Sequence, residues 1–196
     1  MKKILVLNGS LGAENGNTQV LIDHCMKFIK KNHFDAEVIH LKDFLGSFDL
    51  KSLKDKLSQA SGFLFTSGTY WDSWGSPMQN FLELATDLEG SSLFLGKPAS
   101  VAITMHSVGG KGVLSRLQGV LNTFGMIIPP MSGMVYSLTG HLALQTGSSF
   151  AEDFWSFEDS EIIIHNMITM INNENQFKAW PMDKKDPTRV WIKEEI

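Results

Sequence analysis

Strand-length apolar runs alternate along this chain with segments whose apolar residues recur at helical spacing, and this alternation restricts the fold more than any other feature. The runs Lys3 to Asn8, Ala36 to Leu41, Gly62 to Ser67, Ala99 to Met105 and Met126 to Ile128 are short and bounded by turn-forming residues. Leu21, Cys25 and Phe28, with Ile22, Met26 and Ile29 beside them, repeat at i, i+4, i+7 and predict a helix after the first run. Met78, Phe81, Leu82 and Ala85 mark a second helix, and Val113, Leu114, Leu117, Val120, Leu121 and Phe124 a third. A last helix is expected from about Asp153 to Asn172, with Ile163, Ile164, Met167, Ile168 and Ile171 inward. Strands joined by helices form a parallel sheet covered on both faces, and right-handed crossovers leave few topologies. The expected fold is α/β, a three-layer doubly wound sheet of five parallel strands in the order 2-1-3-4-5. Ligands of such sheets bind beyond the carboxyl ends of the strands, so the loops after strands one, three and four are the first places to look for a site.

Composition narrows the partners. The 196 residues fit one domain, assigned to 1–175, followed by an extension over 176–196. Eight of the fourteen residues from Asp183 to Ile196 are charged, and Trp180 and Trp191 are its candidate anchors. With 43% hydrophobic and 19% charged residues, the chain has the composition of a packed domain rather than a disordered one. Seventeen basic residues against 21 acidic ones give a net charge of -4, without the basic clusters of a nucleic-acid surface. No run approaches the length of a membrane span. The apolar stretch Ile4 to Leu7 is too short for a signal peptide. The lone Cys25 cannot form an internal disulfide and reads as a small buried hydrophobe, so the expected compartment is the cytoplasm. The six histidines never pair at i, i+3 or i, i+4, and no metal site is expected.

Three loops carry the chemistry. The first, Asn8 to Thr18, is rich in Gly, Ser and Asn, and a helix starts at its far end. Its backbone N–H groups can close around an anion, with Ser10, Asn15, Asn17 and Thr18 as candidate side-chain donors and the helix dipole favouring negative charge. An ordinary turn with Asn17 or Thr18 as helix cap is the other reading of the same residues. Gly9, Gly12 and Gly16 miss the dinucleotide spacing, and Gly110-Lys111 lacks the rest of a Walker loop. With no Arg or Lys in this loop, a monophosphate is the guest it suits. The second loop, Thr66 to Pro77, holds Thr69, Tyr70, Trp71, Asp72 and Ser73, and with Trp74 it carries one of the two tyrosines and two of the five tryptophans. These aromatics can lie against a flat heterocycle, fold onto their own loop or form a subunit contact. The third, Thr104 to Gly112, offers His106, Ser107, Gly109 and Gly110 at another helix start. Donors fixed there would stabilise a planar cofactor that becomes negative on reduction, and His106 could bond such a ring or protonate a substrate.

In this order the loops resemble those of the flavodoxin-like NAD(P)H-dependent FMN reductase family, which has quinone and azo reductases as relatives. Gly9-Ser10 and Gly16-Asn17-Thr18 match its first-loop motif, with Leu11 and Gly12 where the family often has Pro and Arg and a spacing one residue longer. Tyr70-Trp71-Asp72-Ser73 and Gln79-Asn80-Phe81-Leu82 match its Tyr-Trp-x-Ser loop and Gln-x-x-Phe-Leu helix. The resemblance implies that Ser10, Asn17 and Thr18 hold the FMN phosphate and that Thr69 to Ser73 cover one face and edge of the isoalloxazine. It implies that His106, Ser107, Gly109 and Gly110 meet the pyrimidine side. Hydride would then pass from NADH or NADPH through FMN to a quinone, azo or flavin acceptor. A cytoplasmic homodimer or homotetramer is implied too, with Trp74 and Met78 as contact residues.

Two other activities remain open at this point. A flavodoxin-type electron carrier would share fold and cofactor, although such carriers dock through a more acidic surface than a charge of -4 supplies. Gly9-Ser10-Leu11 also resembles the Gly-Asp-Ser-Leu start of some esterases, which would make Ser10 a nucleophile. That reading needs a late Asp-x-x-His pair, and the last histidine, His165, has Ile162 three residues before it.

Overall fold

A computed structural model describes residues 2–46, 50–149 and 153–173. Five strands, β1 (Lys3–Asn8), β2 (Asp35–His40), β3 (Gly62–Gly68), β4 (Ala99–Met105) and β5 (Gly133–Ser137), form one all-parallel sheet ordered β2-β1-β3-β4-β5. This is the order expected from the alternation. Six helices cover it: α1 (Asn17–Lys31), α2 (Leu50–Gln59), α3 (Ser76–Leu84), α4 (Gly110–Thr123), α5 (Leu138–Thr146) and α6 (Ser160–Asn172).

Strand periodicity sorts the core into two layers. Ile4 and Val6 of β1 face one side with Leu64, Ala102 and Met134, where Leu21, Ile22, Cys25 and Ile29 of α1 and Ile163, Ile164 and Met167 of α6 pack on them. Leu5 and Leu7 face the other side with Phe63, Phe65, Val101 and Ile103, under α2, α3 and α4. Because both faces are buried, the strands read as continuous apolar runs rather than as alternating ones. Cys25 is fully buried, and that burial pushes its thiol up to about 12.

Three expectations are corrected. The fifth strand is Gly133–Ser137, not Met126 to Ile128. Ile127 exchanges two backbone bonds with β4's approach, donating to the Lys97 carbonyl and accepting from the Ala99 amide. Pro129 and Pro130 then follow, and without amide hydrogens they cannot extend a ladder. The last helix begins at Ser160 rather than Asp153. Ahead of it the Asp159 carboxylate accepts bonds from the Ser156 amide at 2.7 Å and hydroxyl at 3.3 Å, an alternative to helical bonding that turns the chain. Met78, expected at a subunit contact, is wholly buried in the α3 layer.

The 176–196 extension, with Trp180 and Trp191, lies outside the described residues. No helix among the described residues is long and apolar enough to cross a membrane.

Candidate functional site

The carboxyl ends of β1, β3, β4 and β5 bound a cleft of about 510 Å³. Its first wall is the β1–α1 loop with the opening turn of α1: Ser10, Gly12, Gly16, Asn17, Thr18 and Val20. Asn8, buried at the end of β1, shapes this loop by accepting from the Ser10 amide at 3.0 Å and donating to the Ala13 carbonyl at 3.3 Å. Ser10 is thereby fixed and 2% exposed, yet its Oγ has no hydrogen-bond partner. The helix cap is Gly16, so neither Asn17 nor Thr18 serves as N-cap, and no side chain caps the helix. The first-turn amides therefore carry the positive end of α1 toward the cleft. Thr18 Oγ1 and Thr104 Oγ1 share a buried hydrogen bond of 2.8 Å that joins α1 to β4.

Gly68, Thr69 and Tyr70 form the second wall. The Thr69 amide bonds the Thr104 carbonyl at 2.8 Å, while its buried Oγ1 is without a partner. Tyr70 accepts from the Leu11 amide through its hydroxyl at 3.2 Å and so ties the first two loops together. Residues 70–73 close a tight turn, with paired bonds of 2.8 and 3.0 Å between Tyr70 and Ser73. Trp71 and Asp72 at its tip have φ of 49° and 58°, a left-handed conformation that Asp tolerates and that is rare for Trp. Arg116 of α4 braces the turn from behind by donating to the Asp72 carbonyl and lying over Trp74, 5.4 Å from the ring centroid. The Trp71 side chain is fully exposed.

Thr104, Met105 and His106 form the third wall. Beyond them Gly109 opens α4 at φ 86°, and a Cβ there would meet Asp72 Oδ1 at 2.0 Å. Only glycine allows this approach of the second loop to the third. The fourth wall is Tyr136, Leu138, His141 and Phe157.

Six of the residues singled out in the sequence thus meet in one cleft: Ser10, Asn17, Thr18, Thr69, Tyr70 and His106. Asn15, Trp71, Asp72, Ser73, Ser107, Gly109 and Gly110 belong to the same loops without lining it. Asn8, Arg116 and the fourth wall were missed. Arg116 lies within a helix whose apolar pattern drew attention to its neighbours. Tyr136 was hidden by the misplaced fifth strand, although Ser137 capping the Gly140 amide at 2.9 Å was a readable helix start. No imidazole bonds Ser10 Oγ, as an esterase nucleophile would require.

The model of the NADPH-dependent FMN reductase family matches residues 2–138. The chain belongs to that family. As a member it is a flavin-dependent oxidoreductase, with FMN as cofactor and a reduced nicotinamide nucleotide as reductant. No curated protein sequence matches it significantly. Among solved structures it resembles RosB with a bound 8-demethyl-8-formylriboflavin-5'-phosphate intermediate, at TM-score 0.70 and 14% identity over 100% of this chain and 97% of that one. It also resembles FerB, a flavoenzyme NAD(P)H:(acceptor) oxidoreductase from Paracoccus denitrificans, at 0.65 and 18% over 89% and 99%. An archaeal flavodoxin aligns at 0.59 and 17% over 88% and 98%. At these identities the neighbours speak for the fold.

The donor set of the cleft suits the family's cofactor. Two buried hydroxyls, Ser10 Oγ and Thr69 Oγ1, lack protein partners within it, and a buried polar group in that state calls for a ligand or water. An uncapped helix start beside Ser10 suits a phosphate, and the mostly apolar remainder suits a ring system.

Proposed function

We propose that this cleft holds FMN and that the protein uses it to reduce a small quinone, azo or flavin acceptor with NADH or NADPH. One observation carries the reading: two residues that line one cleft at the carboxyl edge of the sheet, Ser10 and Thr69, hold buried hydroxyls without a protein partner, beside the uncapped start of α1.

Ser10 Oγ, the Asn17 and Thr18 side chains and the first-turn amides of α1 hold the phosphate, and Asn15 lies at the outer rim of that loop. With no lysine or arginine among the lining residues, affinity rests on neutral donors and the helix dipole. Thr69, Tyr70 and the backbone of the 70–73 turn bear on one face and edge of the ring, with Trp71, Asp72 and Ser73 shaping that turn. His106 and Ser107 flank the pyrimidine side, and Gly109 and Gly110 offer close backbone approach at the start of α4. Bound there, FMN would supply the hydride-transfer chemistry between a reduced nicotinamide and the acceptor. The chain's own part is to hold, orient and electrostatically stabilise that group, so no protein nucleophile is needed. A cytoplasmic homodimer or homotetramer completes the proposal.

The test is steady-state oxidation of NADH and of NADPH by the FMN-loaded protein, with and without a quinone, an azo dye or free FMN. Acceptor-dependent turnover with at least one pair is expected. A protein that takes up FMN but turns over no acceptor would fit the electron-carrier reading instead.

A further inference from the structure

The fourth wall of the cleft has no part in the phosphate and ring contacts described above. Tyr136, one residue before the end of β5, lies directly opposite Thr104 in the β4–β5 register and is 8% exposed. Its ring stacks on Phe157 with centroids 4.1 Å apart and planes 16° apart, and His24 covers Phe157's other face at 4.2 Å and 9°. This three-ring stack fixes the phenol in place. Tyr136 Oη lies 2.8 Å from His141 Nδ1, and His141 Nε2 lies 2.8 Å from Gln145 Nε2.

With the Gln145 amide turned to donate from Nε2, His141 Nε2 accepts and the neutral ring carries its hydrogen on Nδ1. In that tautomer Nδ1–H donates to Tyr136 Oη, and the phenolic hydrogen is left for a third partner. Burial, and then the nearby Glu158 carboxylate, hold the phenol above its ordinary pKa, so it remains a donor at neutral pH. Val20, Met105, Leu138 and Phe157 make the surroundings apolar, no lysine or arginine lines them, and Glu158 repels anions. A neutral, flat ring bearing an oxygen acceptor satisfies both the walls and the spare donor.

We propose that Tyr136, positioned by His141, donates its phenolic hydrogen bond to a carbonyl oxygen of a quinone-type acceptor and so selects carbonyl-bearing rings. The inference rests on the FMN reading of the same cleft and specifies its acceptor class.

The test is binding to the FMN-loaded protein without nicotinamide, by titration calorimetry, using 1,4-naphthoquinone and its carbonyl-free counterpart naphthalene. Wild-type protein is expected to prefer the quinone. Tyr136→Phe should weaken quinone binding about tenfold and leave naphthalene within about twofold, as expected for one lost hydrogen bond with the ring stack kept. His141→Leu should weaken the quinone several-fold, and His141→Gln, which can still donate to Oη, should restore it. Equal losses for both ligands in Tyr136→Phe would reduce the residue to packing and overturn the proposal, as would unchanged quinone affinity. Identical behaviour of the two His141 variants would overturn the positioning role. FMN uptake is measured first; a wild-type protein that binds none overturns the underlying reading and this inference with it.

Discussion

Ser10 is the residue at which the cleft can be tested most sharply. A buried hydroxyl without a partner destabilises the protein that carries it, whereas the same hydroxyl bonded to a phosphate strengthens binding. Ser10→Ala should therefore leave thermal stability of the FMN-free protein unchanged or higher, and raise the FMN dissociation constant about tenfold. Thr18→Val should behave differently, because Thr18 Oγ1 is already bonded to Thr104. It should cost about 1 kcal/mol of stability and also weaken FMN binding. Fluorescence titration and thermal melts of the two variants separate these signs. Cys25 gives a third prediction: buried, with its thiol pushed up to about 12, it should react with a thiol reagent only on unfolding. At this scale the sequence was informative where residue type implies chemistry, as for Ser10, Thr69 and His106. It was silent where position alone decides, as for Asn8, whose amide organises the β1–α1 loop from inside the sheet.

At the scale of elements, strands β1 to β4 were legible because their apolar runs are long and abruptly bounded. β5 was not, since Met126 to Ile128 is the more apolar segment and only the consequence of Pro129-Pro130 displaces pairing to Gly133–Ser137. α2 and α5 escaped notice as well. The apolar residues of α2, Leu50, Leu53 and Leu57, are diluted by lysines and serines, and α5 packs mainly against β5 and the cleft. The 70–73 turn invites an element-level test. Trp71 is strained and fully exposed, so Trp71→Asn should raise stability by roughly 0.5–1 kcal/mol through its easier left-handed backbone. A lower melting temperature would mean that Trp71 is packed against something in solution. Glu37 links β2 to β1 and α2 by accepting from Lys3 and Lys56, and these bonds hold its carboxyl below the ordinary glutamate value. A depressed folded pKa stabilises above the unfolded value and ceases to do so as pH falls through the folded one. Glu37→Gln should thus lower the melting temperature slightly near neutral pH, and the difference from wild type should vanish in acid. The effect is small because the pair is partly exposed.

For the whole molecule, the alternation of strand and helix patterns carried the fold, because burying both faces of a parallel sheet leaves little freedom in topology. The site was half legible for a related reason. Loops at the carboxyl edge of β1, β3 and β4 could be located from the strand order, whereas the fourth wall is assembled from β5, α5 and the approach to α6, which meet only in three dimensions. The mild net charge now has a local counterpart, a cleft whose lining holds neutral donors and aromatics and no lysine or arginine. The central claim is that this cleft binds FMN in a form that nicotinamide can reduce. Its most direct measurement is an anaerobic titration of the FMN-reconstituted protein with NADH and with NADPH, followed in the flavin's visible absorption band. The account predicts uptake of one FMN per chain and rapid bleaching by about one equivalent of at least one nucleotide. A protein that takes up no FMN, or whose bound FMN neither nucleotide bleaches, would contradict it.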